Sequence, residues 1–313
     1  MPDKRFDILA VGELNPDLVL RGDVTPTFGQ VEKLVESADL TIGSSSGIFA
    51  CGAARLGLRV ASIARVGDDV FGHFMLRSLQ ERGVETSGVI VDPNIRTGLS
   101  VILVRGSDRA ILTFPGAIPT LRLADIQPGL LAQARHLHLT CYYIQDALRP
   151  DVPALFDLAH QLGMSVSLDT NYDPSETWDG GIQEALKKTD IFLPNDTECC
   201  AIAGLPDVGE ALAVLAERVK VVAVKWGAKG ALGRTASQAG QVFQAQSLPV
   251  QVVDTVGAGD SFDAGFLYGY LSGWDMEHSL RLGATCGSLS TRQAGGTPAQ
   301  ATIEEARQYL PQD

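Results

Sequence analysis

Asp254-Thr255-Val256-Gly257-Ala258-Gly259-Asp260-Ser261-Phe262 is the stretch whose reading decides the fold of this 313-residue chain. Before it runs Leu248-Pro249-Val250-Gln251-Val252-Val253, apolar and β-branched, which reads as an extended segment. After it, Phe262, Phe266, Leu267, Tyr270 and Leu271 recur at helical spacing. The order is therefore extended segment, tight glycine turn, helix. Such a turn leaves main-chain N–H groups unpaired at a helix start, and with the helix dipole they form an anion site. Gly257 and Gly259 carry no side chain to hold an anion away from the backbone.

Asp260 has two readings. Asp is a favoured helix cap. A carboxylate at an anion site, however, repels the anion unless it has other work, and one such job is taking a proton from a hydroxyl that attacks a phosphoryl group. Other phosphate motifs do not fit. Gly257 and Gly259 are followed by Gly265 rather than by a glycine at position 262, and no G-x-x-x-x-G-K-[ST] occurs.

The formal charge of −12 argues against nucleic acid or an anionic membrane surface as a partner. A local nest of amides still accommodates an anionic ligand. Five cysteines, at 51, 141, 199, 200 and 286, lack C-x-x-C spacing and read as reduced thiols in a cytoplasmic protein. No apolar run approaches membrane-spanning length, and the first residues show no secretory pattern.

The stretch from Asp254 to Asp260 resembles the D-T-x-G-A-G-D signature of ribokinase-like (phosphofructokinase-B type) carbohydrate kinases, with all six fixed positions present. The resemblance implies a kinase that transfers the ATP γ-phosphoryl group to a hydroxyl of a sugar or sugar-like molecule. Asp260 would then be the catalytic base, and the amides of Gly257, Ala258 and Gly259 the hole for the transferring group. It implies a three-layer α/β/α sandwich with a mostly parallel sheet and a small β-sheet lid. One domain would span residues 1–313, with lid insertions at about 14–42 and 95–116.

Other segments align with this expectation. Phe6 to Gly12 reads as a buried strand, and Asn15 and Asp17 share one edge at its C-terminal end, where α/β sheets bind ligands. Asn-Pro and Asp are also turn formers; the resemblance assigns Asp17 to the sugar hydroxyls. Leu18-Val19-Leu20, Leu40-Thr41-Ile42, Gly98 to Val104 and Arg109 to Phe114 are β-prone lid pieces, and the lid is expected to pair with a second subunit in a homodimer. Gly43, Ser44 and Gly47 open the helix Ile48 to Leu56 where the family keeps its first signature; they serve as an ordinary serine cap or as substrate contacts. The family's sugar-facing Asn falls on Ile48, which puts the substrate in question rather than the chemistry.

Alternating strands and helices in the middle of the chain predict a parallel sheet. His136 and His138, at strand i, i+2 spacing, read as core histidines rather than a metal pair. Asp169 and Asn171 sit on one face of a strand end and are expected to bind the substrate. Asp173 stands where some sugar-acid and fructose kinases carry Arg, so direct repulsion points to a neutral polyol or nucleoside. Asn195 and Glu198 match the family's N-x-x-E, which implies magnesium held through water; the same pattern reads locally as a capping box. The turn containing Lys225, Gly227, Lys229 and Gly230 is the expected ATP cradle. Asp254 and Val256 are the expected holders of a monovalent cation, K+. A nucleoside kinase and a non-catalytic sugar or nucleotide sensor stand as alternatives.

Overall fold

The computed structural model describes residues 4–106, 108–238 and 240–310. Its strands are β1 (Phe6–Val11), β2 (Pro16–Arg21), β3 (Ser37–Ile42), β4 (Val60–Gly67), β5 (Glu85–Asp92), β6 (Leu99–Arg105) and β7 (Asp108–Phe114). They continue as β8 (Ala134–Leu139), β9 (Ser165–Leu168), β10 (Ile191–Phe192), β11 (Val221–Lys225), β12 (Ala231–Thr235) and β13 (Phe243–Ala245). The α-helices are α1 (Ser45–Arg55), α2 (Val70–Gln80), α3 (Pro128–Leu131), α4 (Val152–Gln161) and α5 (Ile182–Leu186). After these come α6 (Asp196–Ala203), α7 (Val208–Leu215), α8 (Ala258–Leu271), α9 (Met276–Ser290) and α10 (Ile303–Arg307).

The main sheet runs β13-β12-β11-β10-β9-β8-β1-β4-β5 and is parallel except for the β11–β12 and β12–β13 pairings. All six residues of β1 are buried, because β1 sits mid-sheet with helices on both faces. From Ile8 to Val11 its alternation feeds two cores. Leu9 and Val11 join a cluster with α4 and α7, whereas Ile8 and Ala10 join another with α1 and α8. This is the expected three-layer sandwich. His136 and His138 belong to the sheet interior. His136 bonds Ser165 and Ser167 at 2.7 Å each, and His138 bonds Ser167 at 2.7 Å and lies on the Phe49 ring.

A second sheet, β3-β2-β6-β7, is built from the four β-prone lid pieces. Its β2–β6 pairing is parallel, and the other two are antiparallel. The segment 248–253, in contrast, joins no strand; it is tied to the end of α9 by the Val253 N–H to the Thr291 carbonyl at 2.8 Å. Its β-branched residues suit an extended backbone, yet Val252 and Val253 remain exposed. Helices α8 and α9 pack tightly because small residues face each other. A Cβ on Gly265 would lie 2.8 Å from the Leu282 carbonyl oxygen, and one on Gly269 2.9 Å from Ser279 Oγ. That packing fixes the start of α8, which carries the glycine turn.

Candidate active site

The order of the main sheet reverses around β1, whose neighbours are β8 and β4. At such a switch point the loops leaving the strand C-termini diverge and open a crevice. The chain places Glu13, Cys141, Asp169, Asn195 and Lys225 at or just beyond the C-terminal ends of β1, β8, β9, β10 and β11. Three non-glycine residues there have positive φ: Ser44 (65°), Cys141 (55°) and Asn171 (54°). Strain of this kind persists only where surrounding contacts over-determine it. Here the Asn171 amide links the segments: its Oδ1 accepts from the Cys141 N–H at 2.9 Å, and its Nδ2 donates to Ser45 Oγ at 2.7 Å.

The glycine turn ends at α8 with Gly257 at φ 70°, a conformation that favours glycine. A Cβ there would also lie 2.7 Å from Ile48 Cγ2 and 2.8 Å from Gly296 Cα. Ile48, the position of the family's Asn, thus packs its side chain against the turn. Two cavities meet at this turn. One, of 780 Å³, lies between the lid and the main body and is bordered by Asp17, Arg21, Arg109, Asp254, Thr255 and Val256. The other, of 460 Å³, is bordered by Gly227, Gly230, Leu248, Val250, Thr255, Ala258 and Gly259 among others. Thr255 borders both. The first is rich in polar groups. The second is largely apolar, floored by Phe262 and Ala284, and suits a flat base.

Beneath the turn lies a buried ion cluster. Lys225 Nζ contacts Asp169 Oδ2 at 2.7 Å and the Asp263 carboxylate at 3.1 Å and 3.3 Å. The position a Cβ would take on Gly259 is 3.6 Å from that ammonium, so the cation sits under the anion turn. Burial alone would lower the Lys225 pKa, but Asp169, Asp263 and Glu198 raise it above its ordinary value and keep it charged. Burial likewise acts to raise Asp169, yet the Lys225 charge and hydrogen bonds from Asp263 and Lys225 hold it below the usual carboxylate range. Asp263 moves the other way: burial, only partly offset by Lys225, and the neighbouring Asp169 charge push it well up. Lys225 therefore sets the two acids apart, driving Asp169 toward its charged form while Asp263 favours its protonated one.

Asp260 is 7% exposed in the first turn of α8. Burial first, then the Asp169 charge, push its carboxyl well above its ordinary value, with Lys225 opposing. A carboxylate held in that state is a stronger base than a free one. Asp17 is raised to about 7 by burial and by Glu13, against the pull of Arg109. It fits against Gly43, where a Cβ would fall 2.1 Å from Asp17 Oδ1, so no larger residue fits there without moving the acid. Asn15 Nδ2 reaches Ser100 Oγ in the lid at 3.3 Å. Ser44 caps α1, accepting the Gly47 N–H at 3.1 Å.

Asn195 and Glu198 form the complete capping box. Asn195 Oδ1 accepts the Glu198 N–H at 2.9 Å, and Glu198 Oε2 accepts the Asn195 N–H at 2.9 Å. Glu198 is also raised to about 7, by burial and then by the Asp169 charge. Asn195 Nδ2 also donates to Glu198 Oε1 at 2.6 Å, so each carboxylate oxygen accepts one bond and keeps a further lone pair, which fits water-mediated contact to a hard cation. Lys229 lies over the Trp226 ring at 4.4 Å and does not border the 460 Å³ cavity, whereas Gly227 and Gly230 do. Asp254 accepts the Val256 N–H at 3.0 Å and the Gly295 N–H at 2.9 Å. Asp173 does not border the 780 Å³ cavity. Its carboxylate is turned into its own loop, accepting from Ser175 N at 2.9 Å and Trp178 N at 2.7 Å, so the repulsion inferred from sequence has no geometric basis.

Two site residues are not picked out from sequence. Glu13 accepts the Ser45 N–H at 2.6 Å and is raised by burial. The available signal is an acid placed just past a wholly buried strand. Asp263 is the other, an acid three residues beyond Asp260 in an apolar helix.

Comparison with known proteins agrees with this geometry. The description "pfkB family carbohydrate kinase" matches residues 6–303. The chain belongs to the pfkB family of carbohydrate kinases. Like other pfkB kinases it is a phosphotransferase acting on a sugar hydroxyl. A 5-dehydro-2-deoxygluconokinase of Geobacillus thermodenitrificans (strain NG80-2) is 29% identical over 98% of this chain and 94% of the relative. An ATP-dependent ribose-1-phosphate kinase of Halopiger xanaduensis is 30% identical over 93% and 94%. The fold matches the Arabidopsis thaliana ribokinase solved with ribose and ATP, with TM-score 0.83 and 24% identity over 97% of this chain and 98% of that one.

Proposed function

We propose that residues 1–313 act as one kinase domain that transfers the γ-phosphoryl group of ATP to a hydroxyl of a sugar or sugar-like small molecule. The observation that carries this reading is the glycine turn standing between two cavities, with Asp260 at its helical end. The acceptor occupies the lid-side cavity and the nucleotide the apolar one. Asp260 takes the proton from the attacking hydroxyl, and the amides of Gly257, Ala258 and Gly259 hold the negative charge of the transferring group. Lys225 adds positive charge from below. Asp17 and Asn15 orient the acceptor, while Asp169 and Asn171 hold the surrounding loops. ATP supplies the phosphoryl group, and Mg2+ neutralises charge on its phosphates when bound. Gly227 and Gly230 leave room for the nucleotide, and Asn195 with Glu198 orders the metal's waters.

A monovalent cation at Asp254 has less support, because both carboxylate oxygens already accept main-chain amides and two guanidiniums approach them. Free cysteines support a cytoplasmic setting. Among the described residues, no helix is long and apolar enough to cross a membrane.

The direct test is ADP release, coupled to an optical assay, over a panel of sugars, sugar acids, sugar phosphates and nucleosides. ATP binding with no acceptor-dependent ADP from any of them overturns the reading. For Glu198→Gln, the expected result is a higher magnesium concentration at half-maximal rate; an unchanged titration removes Glu198 from the metal's surroundings. The edge strand β7 exposes Ile111, Leu112 and Phe114, which supports pairing of two lids. Sedimentation at micromolar protein is expected to give a dimer, and Leu112→Lys a monomer.

A further inference from the structure

The inner face of the lid carries positive charge that the transfer step does not use. Alternation along β2 puts Asp17, Val19 and Arg21 on the wall of the 780 Å³ cavity, and Arg109 of β7 joins them. Asp17 and Arg21 are four residues apart, about 13 Å along a strand. The wall is thus acidic where it meets Gly43 and basic further out.

Both guanidiniums approach Asp254, at 3.9 Å from Arg21 and 3.5 Å from Arg109. These are long contacts, at or beyond the limit of a hydrogen bond. The Asp254 oxygens are already taken by two main-chain N–H groups at 2.9–3.0 Å. A guanidinium has five donors in a planar fork matched to carboxylate and phosphate. One distant carboxylate shared between two arginines leaves most of those donors open to the cavity. Arg21 has one further partner, Asp39, at 3.4 Å. Glu36 and Asp108 also border the cavity; they and Arg109 are exposed and screened by solvent alike, whereas Arg21 is half-buried and less screened.

We propose that the acceptor is an anion: it carries a carboxylate or phosphate away from its reacting hydroxyl, and Arg21 with Arg109 binds that group. The inference rests on the acceptor lying in the lid-side cavity, as set out above. It replaces the neutral polyol suggested by Asp173.

The experiment compares wild type with Arg21→Met, Arg109→Met and the double variant. Acceptors are sugar acids, sugar phosphates and the matching neutral sugars, with KM for ATP measured in parallel. Wild type is expected to prefer one anionic class. Each single variant should raise KM for that acceptor about 10- to 100-fold, the scale of a charged hydrogen bond, with KM for ATP and the neutral acceptors little changed. Preference for carboxylates or for phosphates identifies the group. Two outcomes overturn the proposal: neutral sugars used as well as anionic ones with no effect of either variant, or a rise in KM for ATP in place of the acceptor. Absence of turnover with every acceptor would instead reject the kinase reading itself. Circular dichroism and melting of the variants separate misfolding from lost binding, and Arg21→Lys should recover part of the affinity because it restores charge without the fork.

Discussion

Asp260→Asn is expected to lower kcat about 10²- to 10⁴-fold, the usual scale for removing a general base, with ATP affinity nearly unchanged. Asn keeps the shape and the helix start but cannot take a proton. The same substitution should raise the melting temperature. Burial and the Asp169 charge raise the Asp260 pKa well above its unfolded value. A carboxyl shifted that way favours the fold while protonated, below its unfolded pKa, and loses that contribution as pH rises through the folded pKa. Ionising Asp260 in this site is therefore a burden on the fold, and a neutral isostere removes it. The N-cap of α8 is Gly257, so Asp260 is a first-turn acid and not the cap read from sequence. If it served only to favour the helix start, Asn would preserve activity and change stability by at most about 1 kcal/mol. Stopped-flow turnover and calorimetry on one preparation decide between them.

The pH profile adds an independent reading. Asp17 and Glu198 are each raised to about 7. Their charged forms are the ones that accept an acceptor hydroxyl or metal-bound water. The rate should therefore fall on the acid side near neutrality, well above the range of free carboxylates, with an apparent midpoint belonging to the group of acids rather than to one residue.

How much of this was legible in the chain depends on how local each feature is. The anion turn is written in consecutive residues, Gly257 to Asp260, so its place in the chain is legible without any partner from elsewhere. The lid strands and the parallel sheet follow from alternation and spacing, which are also local. The role of Lys225 was not legible. As the first residue of a glycine turn it reads as a nucleotide contact, but its partners Asp169 and Asp263 lie 56 and 38 residues away. Asp173 misled for a related reason: its type was plain, but the direction of its carboxylate was set by Ser175 and Trp178 in a loop that no periodicity describes. Glu13 and Asp263 matter through what surrounds them, and burial at a strand end or inside a helix pair is a property of the assembled fold.

The Lys225 cluster makes the largest demand on the fold itself. Lys225→Met removes the cation between Asp169 and Asp263, which are 1% and 0% exposed. Breaking a buried pair by deleting one partner typically costs about 3–5 kcal/mol, because the remaining charge has neither water nor a counterion. The expected loss is of that order by denaturant unfolding at pH 7. The pH window follows from the shifts. Asp169 is depressed, so its share of stability is present above the unfolded carboxylate pKa of about 4 and is lost as pH falls through its folded value. Lys225 is raised, so its share is present below about 10.5 and is lost as pH rises through its folded value. Between those limits the pair is intact. Adding Asp169→Asn to Lys225→Met should recover much of the stability, since the second change deletes the stranded charge, yet turnover should stay low because the cation under Gly259 is still missing. Recovery of turnover in the double variant would show that Lys225 only holds the fold and contributes nothing to the anion site. A Lys225→Met protein as stable as wild type would mean that Lys225 and Asp169 are not held as a buried ion pair at neutral pH.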